Sequence, residues 1–202
     1  RRNPVSTYTD PGQFELEKRK IFGECPQLLG LSGDLSGPGD YRCFDDLGLP
    51  VVALRDREGR FRAFVNACAH RASRLVEGCG TLKGRFVCPY HGWSYGLDGR
   101  LEKIFKESTF GSVDPTQYGL TEIQSEERFG LLFVAPRPGV SLDVAAHLGD
   151  LGPELGSWDL AAATPIKTGE WNLETNWKLA LDTFCEGYHF GPLHADTVGR
   201  VA

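Results

Sequence analysis

Two short segments, twenty residues apart, each carry one cysteine and one histidine: Cys68-Ala69-His70 and Cys88-Pro89-Tyr90-His91, with seventeen residues between His70 and Cys88. This spacing limits the fold more tightly than any other feature of the chain. Each segment follows an apolar, β-prone pair, Phe64-Val65 and Phe86-Val87. A structural zinc site also takes four Cys and His ligands, but its partners come as Cys-Cys and His-His pairs, roughly two to five residues apart. Here each pair is mixed. Mixed pairs suit a site with two unlike metals, one held by two thiolates and the other by two imidazoles. The bland alternative, two buried cysteines beside two core histidines, leaves the Cys-Pro-x-His-Gly context of Cys88 unexplained.

Length and charge bound the rest. The 202 residues suit one large domain or one and a half. An apolar content of 41% with 24% charged residues is an ordinary globular composition. A net charge of −5 argues against a nucleic-acid partner, which would favour a basic patch. The longest apolar run, Leu131-Leu132-Phe133-Val134-Ala135, is enough for a buried strand and far short of a membrane span. No apolar leader precedes Arg1-Arg2-Asn3-Pro4, so the cytoplasm is the expected location. The chain contains no methionine and stops soon after its second motif, so residues 1–202 read as the front part of a longer polypeptide. Of the six cysteines, Cys25, Cys43, Cys79 and Cys185 lie outside the paired segments and are expected as buried free thiols rather than disulfides.

From the N-terminus, Asp10 as N-cap and Pro11 in the first turn predict an amphipathic helix over 10–22 that packs and does no chemistry. The breaker-rich run 31–40 reads as a loop. Short strands follow at 41–45, 50–55, 61–67, 81–87, 94–97, 100–104, 121–126 and 129–135, separated by turn signals. They predict a small antiparallel β domain with two hairpin loops at one end carrying the four Cys and His. Residues 105–120 are polar and irregular. Beyond Ala135 the composition shifts to Pro and Gly, then to Ala and Leu, with Ser141 as a candidate helix start. The expected division is a helical segment over 1–30, the β domain over 31–135 and a third portion over 136–202.

The second motif spans 170–194. Trp177, Ala180, Leu181, Phe184 and Tyr188 recur at three- and four-residue steps and predict a helix over 176–189. Lys178, Asp182, Glu186 and His189 form a polar line on one face of it, which alone reads as solvated charge pairs. His194 changes that reading. On an unbroken helix it would sit about 140° from His189. Gly191-Pro192 lies between them, so the helix is expected to loosen after Phe190 and swing His194 back toward His189. Two His with one carboxylate make the facial triad of non-haem Fe(II) oxygenases.

The spacing of the first motif resembles that of Rieske 2Fe–2S proteins, in which two His replace two Cys on one iron. Together the motifs resemble the catalytic α subunits of Rieske non-haem iron oxygenases, often called aromatic-ring-hydroxylating dioxygenases. The likeness covers nearly the whole chain. It is carried by Cys68, His70, Cys88 and His91, and by Asn176, Trp177, Lys178, Asp182, Glu186, Tyr188, His189 and His194. It implies an α+β fold, a small antiparallel all-β Rieske domain followed by the beginning of a helix-grip catalytic domain. It implies that Cys68, His70, Cys88 and His91 hold a 2Fe–2S cluster and that His189 and His194 bind a mononuclear Fe(II). Glu186, three residues before the first of these His, inherits the role of linking the two centres; many ring dioxygenases carry Asp there. The family's third iron ligand is an Asp or Glu far downstream, and neither Asp182 nor Asp196 matches its position.

The resemblance also implies an activity. A flavin reductase, sometimes through a ferredoxin, supplies electrons one at a time. The cluster relays them to the Fe(II), which activates O2 beside a small organic substrate. Hydroxylation of an aromatic or related compound is the leading expectation, and oxidative N- or O-demethylation by a Rieske-type monooxygenase is the alternative. A Rieske ferredoxin, a pure electron carrier, would have no use for residues 136–202. A zinc-stabilised binding module would be colourless. The implied assembly is a homotrimer, or a trimer with a β subunit, in which the cluster of one subunit faces the iron of its neighbour, with no nucleic-acid or membrane partner. Respiratory Rieske proteins carry an extra Cys pair and a Ser near the ligands. Ser73 and Tyr90 stand at the Cys positions here and Trp93 at the Ser, which implies a lower potential with Tyr95 as a remaining donor.

Overall fold

The computed structural model describes residues 3–164, 166, 169 and 171–200. Glu170, which opens the second motif, and the termini Arg1, Arg2, Val201 and Ala202 lie outside the described residues. Along the chain run α1 (Ser6–Thr9), α2 (Pro11–Glu17) and a π turn (Lys18–Phe22). Then come β1 (Gln27–Leu31), β2 (Asp40–Phe44), β3 (Val51–Arg55), β4 (Phe61–Val65), β5 (Cys79–Thr81), β6 (Arg85–Val87), β7 (Ser94–Gly96) and β8 (Leu101–Lys103). The series closes with β9 (Glu122–Ile123), β10 (Ser125–Arg128), β11 (Leu131–Val134), α3 (Val144–Leu148), α4 (Leu151–Ser157), α5 (Trp177–Phe184) and α6 (Phe190–Leu193). The architecture is α+β, and the chain divides into two units, Arg19–Lys167 and the pair Arg1–Lys18 with Thr168–Ala202.

The Arg19–Lys167 unit holds three antiparallel sheets, ordered β5-β2-β3-β4-β9, β1-β11-β10 and β6-β7-β8. Its centre is β3. Val51, Val52, Ala53 and Leu54 are all buried, so the strand is covered on both faces and reads as one apolar run rather than an alternation. Alternate side chains serve different cores. Val52 and Leu54 join Phe64, Phe86, Tyr95 and both paired cysteines. Val51 and Ala53 join Phe61, Ala63, Ile123, Leu132 and Val134. The β6-β7-β8 sheet therefore packs through the first core and β11 through the second. The other face of β11, Leu131 and Phe133, packs with Val144 and Leu148 at α3.

Turn chemistry sets the hairpins. Gly99 closes β7 to β8 at φ +80, and a Cβ there would lie 2.4 Å from the Phe64 ring, so glycine is required twice over. Asp56 caps the β3–β4 turn, accepting from the backbone N–H of Glu58 (3.0 Å) and Arg60 (2.9 Å).

Several sequence expectations are corrected here. The strand expected over 81–87 is two strands in different sheets, because the chain turns at Gly84 (φ +82). The strand expected over 121–126 also divides, β9 pairing with β4 and β10 with β11. Phe129 (φ +54) and Gly130 (φ +77) form the hairpin turn instead of opening the last strand. β1 lies in a stretch read as helix and loop. It pairs with β11 across a bulge between Leu28 and Gly30, a contact with no local signal. The helix expected to start at Ser141 is capped by Asp143, whose carboxylate accepts from Ala146 N at 2.9 Å. The four cysteines expected as buried thiols are less buried than that: Cys25 and Cys43 are half-buried, Cys79 and Cys185 exposed.

In the other unit, Asp10 caps α2 as expected, accepting from Gly12 N at 2.7 Å with Pro11 in the first turn. α5 starts one residue after the expected position, with Asn176 as its cap, accepting from Lys178 N at 3.0 Å. It stops at Phe184, short of His189.

Candidate metal sites

The four Cys and His of the first motif all lie in the Arg19–Lys167 unit, on two loops with the same backbone frame. In the first, Cys68 N donates to Ser73 O (2.8 Å) and Ala72 N to Cys68 O (2.8 Å). In the second, Cys88 N donates to Trp93 O (2.8 Å) and Gly92 N to Cys88 O (3.0 Å). The fifth residue of each frame has positive φ, Ala72 at +54 and Gly92 at +68. The cysteine opens each frame; the histidine comes two residues later in one loop and three in the other.

These frames bring the four side chains together. Cys68 and Cys88 are 3% and 2% exposed and belong to the same buried cluster. The rings of His70 and His91 have centroids 4.7 Å apart. His70 stacks nearly parallel on Trp93, 4.9 Å between centroids and 8° between planes, which locks its orientation. Burial holds the His70 imidazole below its ordinary pKa, with His91 and Arg71 adding to the effect, so it is the neutral ligand form. Burial opposes ionisation of Cys88, but the backbone N–H groups of His91 and Tyr90 outweigh it and the Cys88 thiol is lowered. The Ser73 hydroxyl lowers it further.

A cluster with one iron on two thiolates and one on two imidazoles fits this arrangement. The observation that tests the fit is His70 Nδ1, which is buried and has no hydrogen-bond partner. A buried acceptor nitrogen with no partner is costly unless something binds it. Among the described residues no group of three or more His, Cys, Asp or Glu converges on a single ion.

Tyr95, on β7, completes this site. Its hydroxyl lies 3.0 Å from Cys68 Sγ and accepts from Ala69 N at 3.1 Å. Against a Cys68 thiolate the hydroxyl is the donor of this pair. Burial, then the Cys68 sulfur, push the Tyr95 phenol up, so it stays protonated and able to donate. Sequence reasoning found Tyr95 but not Asn66. Asn66 is 1% exposed, and its amide bonds the backbone of Leu75 and Val76 across the first loop. Its only sequence signal is a polar residue directly after an apolar strand. A cleft of about 710 Å³ lined by Arg60, Arg62, Glu122 and Glu126 includes none of the four Cys and His and is mixed in charge.

The second motif lies in the unit of Arg1–Lys18 and Thr168–Ala202. α5 ends before Glu186, so Glu186 and His189 do not share its face as expected. Beyond the end of α5 the Glu186 carboxylate accepts from Tyr188 N (2.5 Å) and His189 N (3.3 Å), which keeps those two amides from resuming the helix. The break thus comes earlier than the Gly191-Pro192 step, and those two residues sit inside the short helix α6, where proline's missing N–H falls in the first turn. His189 and His194 flank α6 as its caps, with ring centroids 5.4 Å apart. His189 Nδ1 is 2.5 Å from Glu186 Oε1. With Nδ1–H donating to the carboxylate, Nε2 is the nitrogen left for a metal. The hydrogen bond from His189 holds the Glu186 carboxyl below its ordinary range.

The Rieske [2Fe-2S] domain family matches residues 25–114, and the catalytic domain of the ring-hydroxylating alpha subunit family matches residues 156–202. The chain belongs to the Rieske-type non-haem iron oxygenases, among their catalytic subunits. It is 32% identical over 198 residues to the carnitine monooxygenase oxygenase subunit of Escherichia coli K12, covering 95% of this chain and 51% of that protein. It is 34% identical over 203 residues to the glycine betaine monooxygenase oxygenase subunit of Chromohalobacter salexigens, covering 98% and 44%. It is 33% identical over 205 residues to the chloroplastic choline monooxygenase of Spinacia oleracea, covering 95% and 44%. Among solved structures, the quaternary ammonium Rieske monooxygenase CntA in complex with L-carnitine matches with a TM-score of 0.86 at 28% identity, over 96% of this chain and 55% of that one. Naphthalene 1,2-dioxygenase from a Rhodococcus species, bound to indole, matches with a TM-score of 0.81 at 25% identity, over 96% and 46%. The chain spans about half the length of the curated relatives it matches. No helix among the described residues is long and apolar enough to cross a membrane.

Proposed function

We propose that this chain is the cluster-bearing front part of a Rieske monooxygenase subunit that oxidises a small quaternary ammonium compound, using electrons from a separate reductase. The observation that carries this reading is the agreement of three relatives. Their named substrates, carnitine, glycine betaine and choline, are all trimethylammonium compounds, and each relative aligns with at least 95% of this chain. The aromatic-ring expectation is the weaker one, and Glu186 at the position where many ring dioxygenases carry Asp agrees with that order.

In this reading Cys68, His70, Cys88 and His91 hold the 2Fe–2S cluster, and His189 and His194 hold Fe(II) with a carboxylate from elsewhere in the full-length protein. When bound, the two centres supply one-electron storage and oxygen activation. The protein's own residues do the rest. Trp93 fixes the His70 ring, Tyr95 and the loop amides stabilise negative charge on sulfur, and Glu186 fixes the tautomer of His189. A carboxylate has two oxygens, so Glu186 can also take a second imidazole N–H from a neighbouring subunit, with His91 as the donor.

The test uses the full-length protein with a reductase and labelled oxygen gas. Carnitine, glycine betaine and choline are compared with naphthalene. The expected product carries one labelled oxygen atom from at least one of the three ammonium compounds. A cis-diol from naphthalene, with none of the three consumed, would overturn the proposal.

A further inference from the structure

The first seventeen residues lie outside both matched family regions, yet the described structure ties them to the helix that leads into Glu186, His189 and His194. Glu17, at the end of α2, is 4% exposed. Both of its carboxylate oxygens are used. Oε1 accepts from Gln13 Nε2 (2.9 Å) and Lys178 Nζ (2.5 Å). Oε2 accepts from Trp177 Nε1 (3.0 Å) and Lys178 Nζ (2.5 Å). Nine residues earlier, Tyr8 makes two more connections to the same helix. Its backbone oxygen accepts from Asn176 Nδ2 at 2.9 Å, and its hydroxyl donates to Asp182 Oδ2 at 2.7 Å. Asn176 thereby works twice, since its Oδ1 caps α5.

These contacts have an uneven distribution that gives them meaning. α5 buries none of its residues in the described chain. Its apolar residues Leu179, Leu181 and Phe184 are 45%, 50% and 89% exposed. What grips the helix here is polar, at its first two residues and again at Asp182, the last full turn before Glu186. A buried carboxylate paired with a half-buried ammonium is a poor device for raising stability, because taking the charges out of water costs much of what their attraction returns. Its best-attested use is to fix one register among several. An apolar contact would let α5 slide or rotate; a carboxylate bonded by both Trp177 and Lys178 does not.

We propose that Glu17 and Tyr8 are positioning residues for the mononuclear iron site: they fix the axial position and rotation of α5, and so the placement of Glu186, His189 and His194. This rests on the assignment of His189 and His194 as iron ligands made above. No atom of Glu17 or Tyr8 touches those histidines, so the effect passes through α5. An error in helix register moves both His together with Glu186, and outer partners that orient metal ligands change metal affinity by roughly 10- to 100-fold when lost.

The experiment is an anaerobic Fe(II) titration of the full-length protein with its Rieske cluster in place, on four variants. Tyr8→Phe deletes only the hydroxyl bond to Asp182. Glu17→Gln removes the charge. The double swap of Glu17→Lys with Lys178→Glu restores a pair of opposite sense. His189→Ala is the control for the ligand assignment. Tyr8→Phe and Glu17→Gln are expected to weaken Fe(II) binding by about tenfold, with the visible spectrum of the cluster unchanged. Tyr8→Phe keeps the parent melting temperature, Glu17→Gln lowers it because Lys178 loses its counter-charge, and the double swap recovers most of both losses. Wild-type Fe(II) affinity in both single variants overturns the proposal. So does a loss of affinity confined to Glu17→Gln, because that follows the fall in melting temperature and is a general structural effect. If His189→Ala binds Fe(II) as wild type does, the ligand assignment itself fails, and the result is distinguishable from a failure of the clamp.

Discussion

Asn66 holds the first ligand loop in place, and its removal has a calculable cost. It stands one residue beyond β4 and is 1% exposed. Its Oδ1 accepts from Leu75 N (3.1 Å) and Val76 N (3.3 Å), and its Nδ2 donates to Val76 O (2.8 Å). Asn66→Ala strips Leu75 N and Val76 N of their partner and leaves Val76 O only the Cys43 thiol at 3.5 Å. Each unpaired buried group costs about 1–3 kcal/mol. Val76 is only half-buried, so water recovers part of its amide's share, and the net expectation is about 3 kcal/mol. That is a large share of the roughly 5–15 kcal/mol that keeps a domain folded. In a chain of this size it corresponds to a melting point lower by about 6–12 °C. The assay is denaturant unfolding of the variant and the parent, with amide hydrogen exchange read at Leu75 and Val76. A change below about 0.5 kcal/mol, the range of ordinary surface substitutions, with both amides as protected as before, would refute the reasoning.

Two further outcomes follow from the same geometry. Tyr95→Phe removes the hydroxyl beside Cys68 Sγ and keeps the ring, so the potential of the loaded cluster should fall by about 40 mV, the equivalent of about 1 kcal/mol of donor stabilisation for one electron; a redox titration showing no fall would count against Tyr95 as the donor. For acid stability, burial pushes the Asp56 carboxyl up, but the Arg60 amide and guanidinium and the Glu58 amide outweigh it and hold it below its ordinary value. A depressed carboxyl contributes stability above its unfolded pKa and loses it as pH falls through the folded one. Asp56→Ala should therefore be less stable than the parent at pH 7 and approach it below about pH 4, and an undiminished gap at pH 2 in unfolding measurements would contradict this.

The candidate site residues could be singled out because residue type and local spacing mark them. Cys68, His70, Cys88 and His91 need no long-range information to be picked out as a set, and the helix over Trp177 to Phe184 announces itself through its periodicity. What escaped was set by distant partners or by competition. β1 exists because β11 pairs with it a hundred residues later, and nothing within Gln27–Leu31 says so. The end of α5 at Phe184 escaped because the apolar period continues to Tyr188, while the Glu186 carboxylate takes the amides that would have extended the helix. The division of residues 81–87 between two sheets turns on one left-handed glycine, Gly84, which a strand pattern can absorb without notice. Glu17 looked like one more charge on a surface helix, since its partners are about 160 residues away.

The matched frames of the two loops separate what holds the site from what faces outward. Each loop closes on its own backbone hydrogen bonds, Cys68 to Ser73 and Cys88 to Trp93. The exposed side chains carried on those loops, Arg71 and Tyr90, take no part in that closure. The surface presented beside the two histidines can therefore be rewritten at those positions while the backbone that spaces the four Cys and His stays as it is.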